Sequence, residues 1–283
     1  MKIKYLISVI ALLISTFCPA QSKGHLVIVG GVQTKEIVAK FVELAGGENA
    51  RIIVIPNAGS NPVYWSEVQV KEFNELGAKS DYLLFTKETA DADSNLKKMD
   101  WANAVFFLGG DQSDLTRDML GTRLLQKVFE IYYRGGVVGG SSAGAAVMSE
   151  VMITGNELLN KDSSSAFISI QKGNIETAKG FGFIKSAIID QHFLKRKRHN
   201  RLITLMCEHP DLLGIAIDES TAIIVNPDET FEVLGNNQVL IYDPTESKNI
   251  RQDKRGNLGI TDMKMHLLIS GDKFDLKSKK VIE

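Results

Sequence analysis

From its N-terminus the chain alternates short unbroken apolar runs with longer segments whose apolar residues recur every three or four positions. His25–Val29 is such a run and ends in Gly30-Gly31; Arg51–Pro56, Tyr82–Phe85, Ala104–Leu108 and Gly136–Gly139 are the next four. Between them, Ile37–Leu44, Trp65–Leu76 and Thr122–Arg134 carry helical spacing. A strand that is apolar at every position has both faces covered, as in a parallel sheet sandwiched between helices. The pattern predicts an α/β fold: a doubly wound, mostly parallel sheet with helices on both faces. After about residue 185 the rhythm changes. Ala187–Ile189, Leu213–Ile217, Ala222–Val225, Phe231–Leu234 and Val239–Tyr242 read as short strands, with one clear helix near Arg198–Glu208 among them. We expect an antiparallel or mixed C-terminal extension of the same sheet. We also expect an exposed polar loop over Asp243–Gly259 and a hairpin from His266 to Leu276 around Ser270-Gly271-Asp272.

The first apolar run of the chain belongs to a different pattern. Lys2 and Lys4 precede the stretch Leu6–Phe17, and Cys18-Pro19-Ala20 follows it. A charged start, a short apolar centre and a small-residue end make an export signal, and the centre is shorter than the roughly 20 residues of a membrane span. Cys18 raises a lipoprotein alternative, but Phe17 is too large for the position before a lipidated cysteine. Residues 1–20 therefore read as a signal peptide and residues 21–283 as one domain, exported to the periplasm or outside the cell, with no stable membrane insertion after cleavage. Cleavage alters the arithmetic. Removing Lys2 and Lys4 from 33 basic residues leaves 31 against 34 acidic ones, an excess of three negative charges. Such a balance argues against a nucleic-acid partner held by bulk basicity. Removing Cys18 leaves Cys207 alone among Leu202, Leu205 and Met206, so it reads as a buried thiol and an internal disulfide is excluded. With no H-E-x-x-H and no paired cysteines, no metal and no cofactor are expected.

The strongest chemical signal is Gly139-Gly140-Ser141-Ser142-Ala143-Gly144-Ala145, where Gly140-x-Ser142-x-Gly144 follows a predicted strand and precedes a helix-forming run. A serine on such a turn is strained and exposed, and small neighbours let strand and helix pass closely. The amide of Ala143 would face an oxyanion, with Gly110 a candidate second donor from the Gly109-Gly110 loop. A glycine-rich packing turn gives the same five-residue pattern, and a phosphate loop is excluded because no Gly-Lys-Ser/Thr follows. Ser141 is a rival nucleophile without the flanking glycines.

A nucleophilic serine needs a base, and the base an orienting acid. His192, in Asp190-Gln191-His192-Phe193, follows a predicted strand at the end where open α/β sheets build their sites. His25, His199, His209 and His266 have no comparable position. The run Leu213–Ile217 leads into Asp218-Glu219, and either acid can reach back to the histidine. Between these segments lies Lys195-Arg196-Lys197-Arg198-His199-Asn200-Arg201. A basic run is usually a solvated face; beside the proposed base, its arginine forks suit a substrate with carboxylates.

Taken together, Gly139–Ala145, Asp190–Phe193 with Arg196, Arg198 and Arg201, and Gly214–Thr221 resemble the cyanophycinase family of serine peptidases, which also holds aspartyl dipeptidases. The resemblance runs from about Gly24 to the tail and implies a class I glutamine-amidotransferase-like fold. It implies Ser142 as nucleophile, His192 as base and Glu219 as orienting acid. It also implies substrate contacts from Gln112, Asp190, Gln191, Arg196, Arg198 and Arg201. The implied substrate is cyanophycin, a poly-aspartate with arginine on each β-carboxyl, released as β-Asp-Arg dipeptides; the implied assembly is a homodimer. Ser141, where the family more often has threonine, and export itself are departures. Alternatives are an aspartyl or isoaspartyl dipeptidase acting on another β-aspartyl peptide, and a non-catalytic binding protein on the same scaffold.

Overall fold

A computed structural model describes residues 23–159 and 167–283, so the predicted signal peptide lies outside the described residues. The elements run β1 (His25–Val29), α1 (Lys35–Leu44), β2 (Arg51–Ile55), α2 (Pro62–Glu75), β3 (Lys79–Tyr82), α3 (Asp93–Trp101), β4 (Ala104–Phe107), α4 (Gln112–Met119), α5 (Arg123–Tyr133), β5 (Val137–Ser141) and α6 (Ala143–Ala146). They continue β6 (Val151–Glu157), β7 (Ile175–Lys179), β8 (Ala187–Gln191), α7 (His199–Glu208), β9 (Leu213–Ile217), β10 (Thr221–Val225), β11 (Thr230–Gly235), β12 (Val239–Asp243), β13 (Lys248–Gln252), β14 (Leu258–Thr261), β15 (Lys264–Leu268), β16 (Lys273–Asp275) and β17 (Lys280–Ile282).

The central sheet has nine strands in the order β17-β16-β11-β10-β1-β5-β4-β2-β3. From β1 to β3 every pairing is parallel, and from β1 outward through β10 every pairing is antiparallel. The unbroken apolar runs are explained by this placement. Val27 and Val29 join Phe41 of α1 and Phe73 of α2 on one face, while Leu26 and Ile28 join Leu115 of α4 and Val128 of α5 on the other. Two of the helices start at a capping hydroxyl: Thr34 accepts from Ile37 N at the start of α1, and Thr122 accepts from Leu125 N at the start of α5.

Five expectations are corrected. The strand expected at Tyr82–Phe85 lies at Lys79–Tyr82, and the helix expected from Trp65 begins at Pro62. The late strands do not all extend one sheet: β15, β12, β9 and β8 form a separate four-stranded sheet. Its one face, with Ile189, Ile215 and Ile241, shares the core of the central sheet, and its other, with Ile188, Ala216 and Leu240, is covered by Leu202, Leu205 and Met206 of α7. His266–Leu276 is not a hairpin. β15 pairs with β12 in the small sheet and β16 with β11 in the large one, because Phe274 packs on Phe231 rather than turning back on β15. Finally, the polar segment Asp243–Gly259 contains the exposed strand β13, paired with β14. Cys207 is free and buried on α7. No described helix is long and apolar enough to cross a membrane.

Candidate active site

Ser142 stands between the last residue of β5 and the first of α6, with φ 56° and ψ −110°. Such a conformation is costly for any residue with a side chain and persists only where the surroundings enforce it. Here the glycines enforce it by close approach. A Cβ on Gly144 would lie 2.3 Å from the Phe107 carbonyl oxygen, and one on Gly140 would lie 2.4 Å from that of Gly144. The chain can therefore turn from strand to helix only with glycine at both places, and the turn projects the Ser142 side chain beyond the carboxyl end of β5.

His192 follows β8 and Glu219 follows β9, parallel neighbours in the small sheet. Their side chains meet the serine in a line. His192 Nε2 lies 2.8 Å from Ser142 Oγ, and His192 Nδ1 lies 2.7 Å from Glu219 Oε1. A neutral ring with its proton on Nδ1 satisfies both contacts, donating to Glu219 and accepting from the Ser142 hydroxyl. Burial is the main force holding the His192 pKa below its ordinary value. The bond to Glu219 works against it, and the charges of Arg196 and Arg198 reinforce it. The ring is thus an unprotonated acceptor at neutral pH. Of the two acids left open by spacing, Asp218 is turned elsewhere, accepting from Lys195 N at 3.0 Å. Ser141 is buried and its hydroxyl donates to the Gly31 carbonyl, which removes it as a rival.

Of the two candidate oxyanion donors, Ala143 directly follows the serine, and Gly110 belongs to a loop whose Gly109 packs against it. Ala143 opens α6, where backbone N–H groups have no partner within the helix. The Gly109-Gly110 loop packs against the serine: a Cβ on Gly109 would lie 3.6 Å from Ser142 Oγ.

The substrate-recognition set separates into two groups. Arg196 is exposed beside His192. Arg201 and Asp190, by contrast, are 1% and 0% exposed and bind each other: Arg201 Nε donates to Asp190 Oδ2 at 2.7 Å and Nη2 donates to Oδ1. Arg201 also lies over the Phe167 ring. The expectation that Arg198 and Arg201 offer one common face to a carboxylate is corrected for Arg201, since its fork is closed on Asp190 in the core. Arg198 is also buried, 7% exposed, but is not closed on a carboxylate in the same way. Its Nη1 donates to the Gln191 carbonyl oxygen at 2.6 Å and to Oε1 at 2.7 Å, while its buried Nε has no partner. Burial and neighbouring Arg201 bring its pKa down to about 9, so it remains a cation at neutral pH. Gln112 opens α4 and donates to the carbonyls of Ile153 and Thr154 at 2.7 and 2.6 Å, fastening that helix to β6.

Sequence reasoning missed the turn after β1. Gly30 O accepts from His192 N at 2.6 Å, Val29 O accepts from Ser142 N at 3.0 Å, and Val32 O accepts from Ser220 N at 2.8 Å. A Cβ on Gly31 would lie 2.6 Å from both Nδ1 and Cε1 of His192 and 2.9 Å from Cγ of Glu219. The visible signal was only a Gly-Gly pair ending a strand. Among the described residues, no group of three or more His, Cys, Asp or Glu gathers as a metal would require.

A serine, a base and an acid joined in this order can carry out nucleophilic acyl transfer. The comparisons define the class. The model of peptidase family S51 matches residues 26–233, most of the chain. The protein is 33% identical over 275 residues to a cyanophycinase of Nostoc sp., covering 93% of this chain and 89% of that one. It is 32% identical over 266 residues to a cyanophycinase of Geminocystis herdmanii, covering 90% and 95%. A crystal structure of a peptidase from an acI-B1 Actinobacterium superposes with a TM-score of 0.66 at 23% identity, covering 90% of this chain and 98% of that one, a likeness of fold. The chain belongs to peptidase family S51 and is a serine-type peptidase.

Proposed function

We propose that the protein is an exported serine exopeptidase that hydrolyses cyanophycin to β-Asp-Arg dipeptides through an acyl-enzyme. The observation that carries the mechanism is the continuous hydrogen-bonded line Ser142–His192–Glu219 at 2.8 and 2.7 Å. The substrate rests on the two relatives named cyanophycinase, each matched over at least nine-tenths of this chain. Export to the periplasm or medium rests on the pattern of residues 1–20 alone, and a homodimer on the family resemblance alone.

In this reading Ser142 Oγ attacks the scissile carbonyl carbon while its proton passes to His192 Nε2. Glu219 holds the Nδ1 proton and stabilises the imidazolium as it forms. The carbonyl oxygen becomes an oxyanion facing the amides of Ala143 and Gly110, each such donor being worth about 100- to 1000-fold in turnover. The C–N bond then breaks, the leaving amine takes the proton from His192, and the acyl group stays on Oγ. Water adds to the ester carbonyl, giving its proton to His192; the C–Oγ bond breaks and Ser142 recovers its hydrogen. Arg196 and the incompletely paired Arg198 supply positive charge for substrate carboxylates.

The test is mass spectrometry of the products formed from cyanophycin. Ser142→Ala should abolish β-Asp-Arg release while melting temperature and circular dichroism stay close to those of the parent. Full release by that variant would refute the assignment. Cleavage of isoaspartyl dipeptides without cleavage of the polymer would shift the reading to a dipeptidase.

A further inference from the structure

Against the Gly109-Gly110 loop lies a cavity of about 420 Å³ whose lining includes Asn57, Gly59, Phe85, Thr86, Thr89 and Asp118. It shares backbone with the site. A Cβ on Gly59 would lie 3.5 Å from Gly109 O, one on Gly110 would run into Ala58 O, and Asp111 N donates to Ala58 O. The chain wall separating this cavity from Ser142 is thus one loop thick.

Its polar lining holds one carboxylate, one amide and two hydroxyls. Asn57 Nδ2 donates to Phe85 O at 2.8 Å and to Asp118 Oδ2 at 3.0 Å, which fixes the amide orientation and leaves Oδ1 buried with no partner. The Asp118 residue is 7% exposed, and its Oδ1 accepts from Arg117 Nε at 2.9 Å on the solvent side. The hydroxyls of Thr86 and Thr89 add further acceptor capacity, and no cationic side chain lines the space. Phe85 supplies an aromatic surface beside these acceptors. A planar cation with several forked N–H donors matches this lining better than a compact ammonium, because it can bond divergent acceptors at once and stack on the ring.

We infer that the Asn57–Phe85–Asp118 cavity is a subsite for a guanidinium-bearing side chain of the substrate, one loop away from the nucleophile. The inference rests on the cyanophycin reading and extends it. Arg196 and Arg198 receive carboxylates, and the Asp118 cavity receives an arginine group. The site thereby selects a substrate carrying both charges.

Two polymers test this on the same enzyme preparation: cyanophycin, and cyanophycin whose arginines have been deiminated to citrulline, which is nearly isosteric and neutral. The parent protein should favour the arginine polymer by about 10- to 100-fold in kcat/KM, the range for losing hydrogen bonds to a charged group. Asp118→Asn should collapse that ratio toward one. Because both rates come from one preparation, a partly unfolded variant lowers both and leaves the ratio unmoved. Should Asp118→Asn not fold at all, Phe85→Leu, which keeps the apolar packing, should lower the ratio about threefold or more. Equal rates for the parent on both polymers, or an undiminished preference in the variants, would overturn the subsite. Hydrolysis of neither polymer by the parent would instead refute the functional reading, and the subsite with it.

Discussion

Gly31→Ala adds one methyl group behind His192, the proposed base. The new Cβ would meet His192 Nδ1 and Cε1 at 2.6 Å and Glu219 Cγ at 2.9 Å, whereas ordinary contact begins near 3.4 Å. The ring must therefore move by about 0.8 Å, the difference between those distances. The methyl cannot be accommodated by the backbone, because the Gly30 and Val32 carbonyls are held by His192 N and Ser220 N. A displacement approaching 1 Å in a reacting group costs roughly 100-fold, so kcat should fall by about that factor while KM changes little. Stability should change less. Overpacking costs about 1–3 kcal/mol, and the lost chain entropy of glycine returns about 0.4–1 kcal/mol, leaving a melting-temperature fall of a few degrees in a domain this large. Steady-state hydrolysis of cyanophycin across pH would read the effect. The Glu219 bond supports the protonated ring, so loosening it should also carry the acid limb of kcat/KM to lower pH. A variant with kcat within about threefold of the parent and an unchanged acid limb would refute the argument that Gly31 sets the His192–Glu219 geometry.

In the parent, burial holds the His192 pKa down, so activity should persist as pH falls past 6.5, the ordinary histidine value, and decline only below it; an acid limb centred above 6.5 would contradict the environment described. Glu219→Gln should cost up to about 10⁴-fold in kcat, because the amide cannot stabilise the imidazolium and favours the wrong tautomer; stopped-assay kinetics at fixed pH would check it. Asp190→Asn leaves the buried Arg201 charge uncompensated and should lower stability by about 3–5 kcal/mol, read from urea unfolding. A loss under about 1 kcal/mol would mean that this ion pair is not the anchor of α7 that its burial indicates.

The residues that the chain announces most clearly are those placed by a strand ending. Ser142, His192 and Glu219 each follow an apolar run closely, so periodicity alone put them at carboxyl ends of strands, and the structure brings them within hydrogen-bond reach. What periodicity could not say was which strands share a sheet. β15 and β16 follow one another with a tight turn between, yet they pair with β12 and β11 in different sheets, a choice made by Phe274 and its partner Phe231 across 43 residues of chain. α4 was invisible for another reason. Its sequence, QSDLTRDM, buries Gln112, Thr116 and Asp118 along with Leu115 and Met119, so its inward face is half polar and gives no apolar stripe. The basic run 195–201 looked uniform, although folding splits it: Lys195, Arg196 and Lys197 face solvent while Arg198 and Arg201 turn inward onto Gln191 and Asp190. That division depends on Asp190 being wholly buried at the end of β8, a tertiary fact with no local signature.

The site is built across a seam. The proposed nucleophile, Ser142, follows a strand of the nine-stranded sheet, whereas the proposed base and acid, His192 and Glu219, follow strands of the four-stranded one. Among the described residues no strand pairing joins the two sheets; the turn after β1 bridges them, its carbonyls at 29, 30 and 32 binding the amides of Ser142, His192 and Ser220. The relay length of 2.8 Å between Ser142 and His192 is therefore set by how two sheets dock, through Ile28 and Val138 on one side and Ile189 and Ile217 on the other. Truncating Ile189 would leave every residue of the triad intact and every strand paired, yet let the sheets settle closer. A relay that tolerates well under 1 Å of error is more exposed to that settling than to the loss of any surface charge around it. The core between the sheets is in this sense part of the candidate site, and its packing fixes the distance between Ser142 Oγ and His192 Nε2.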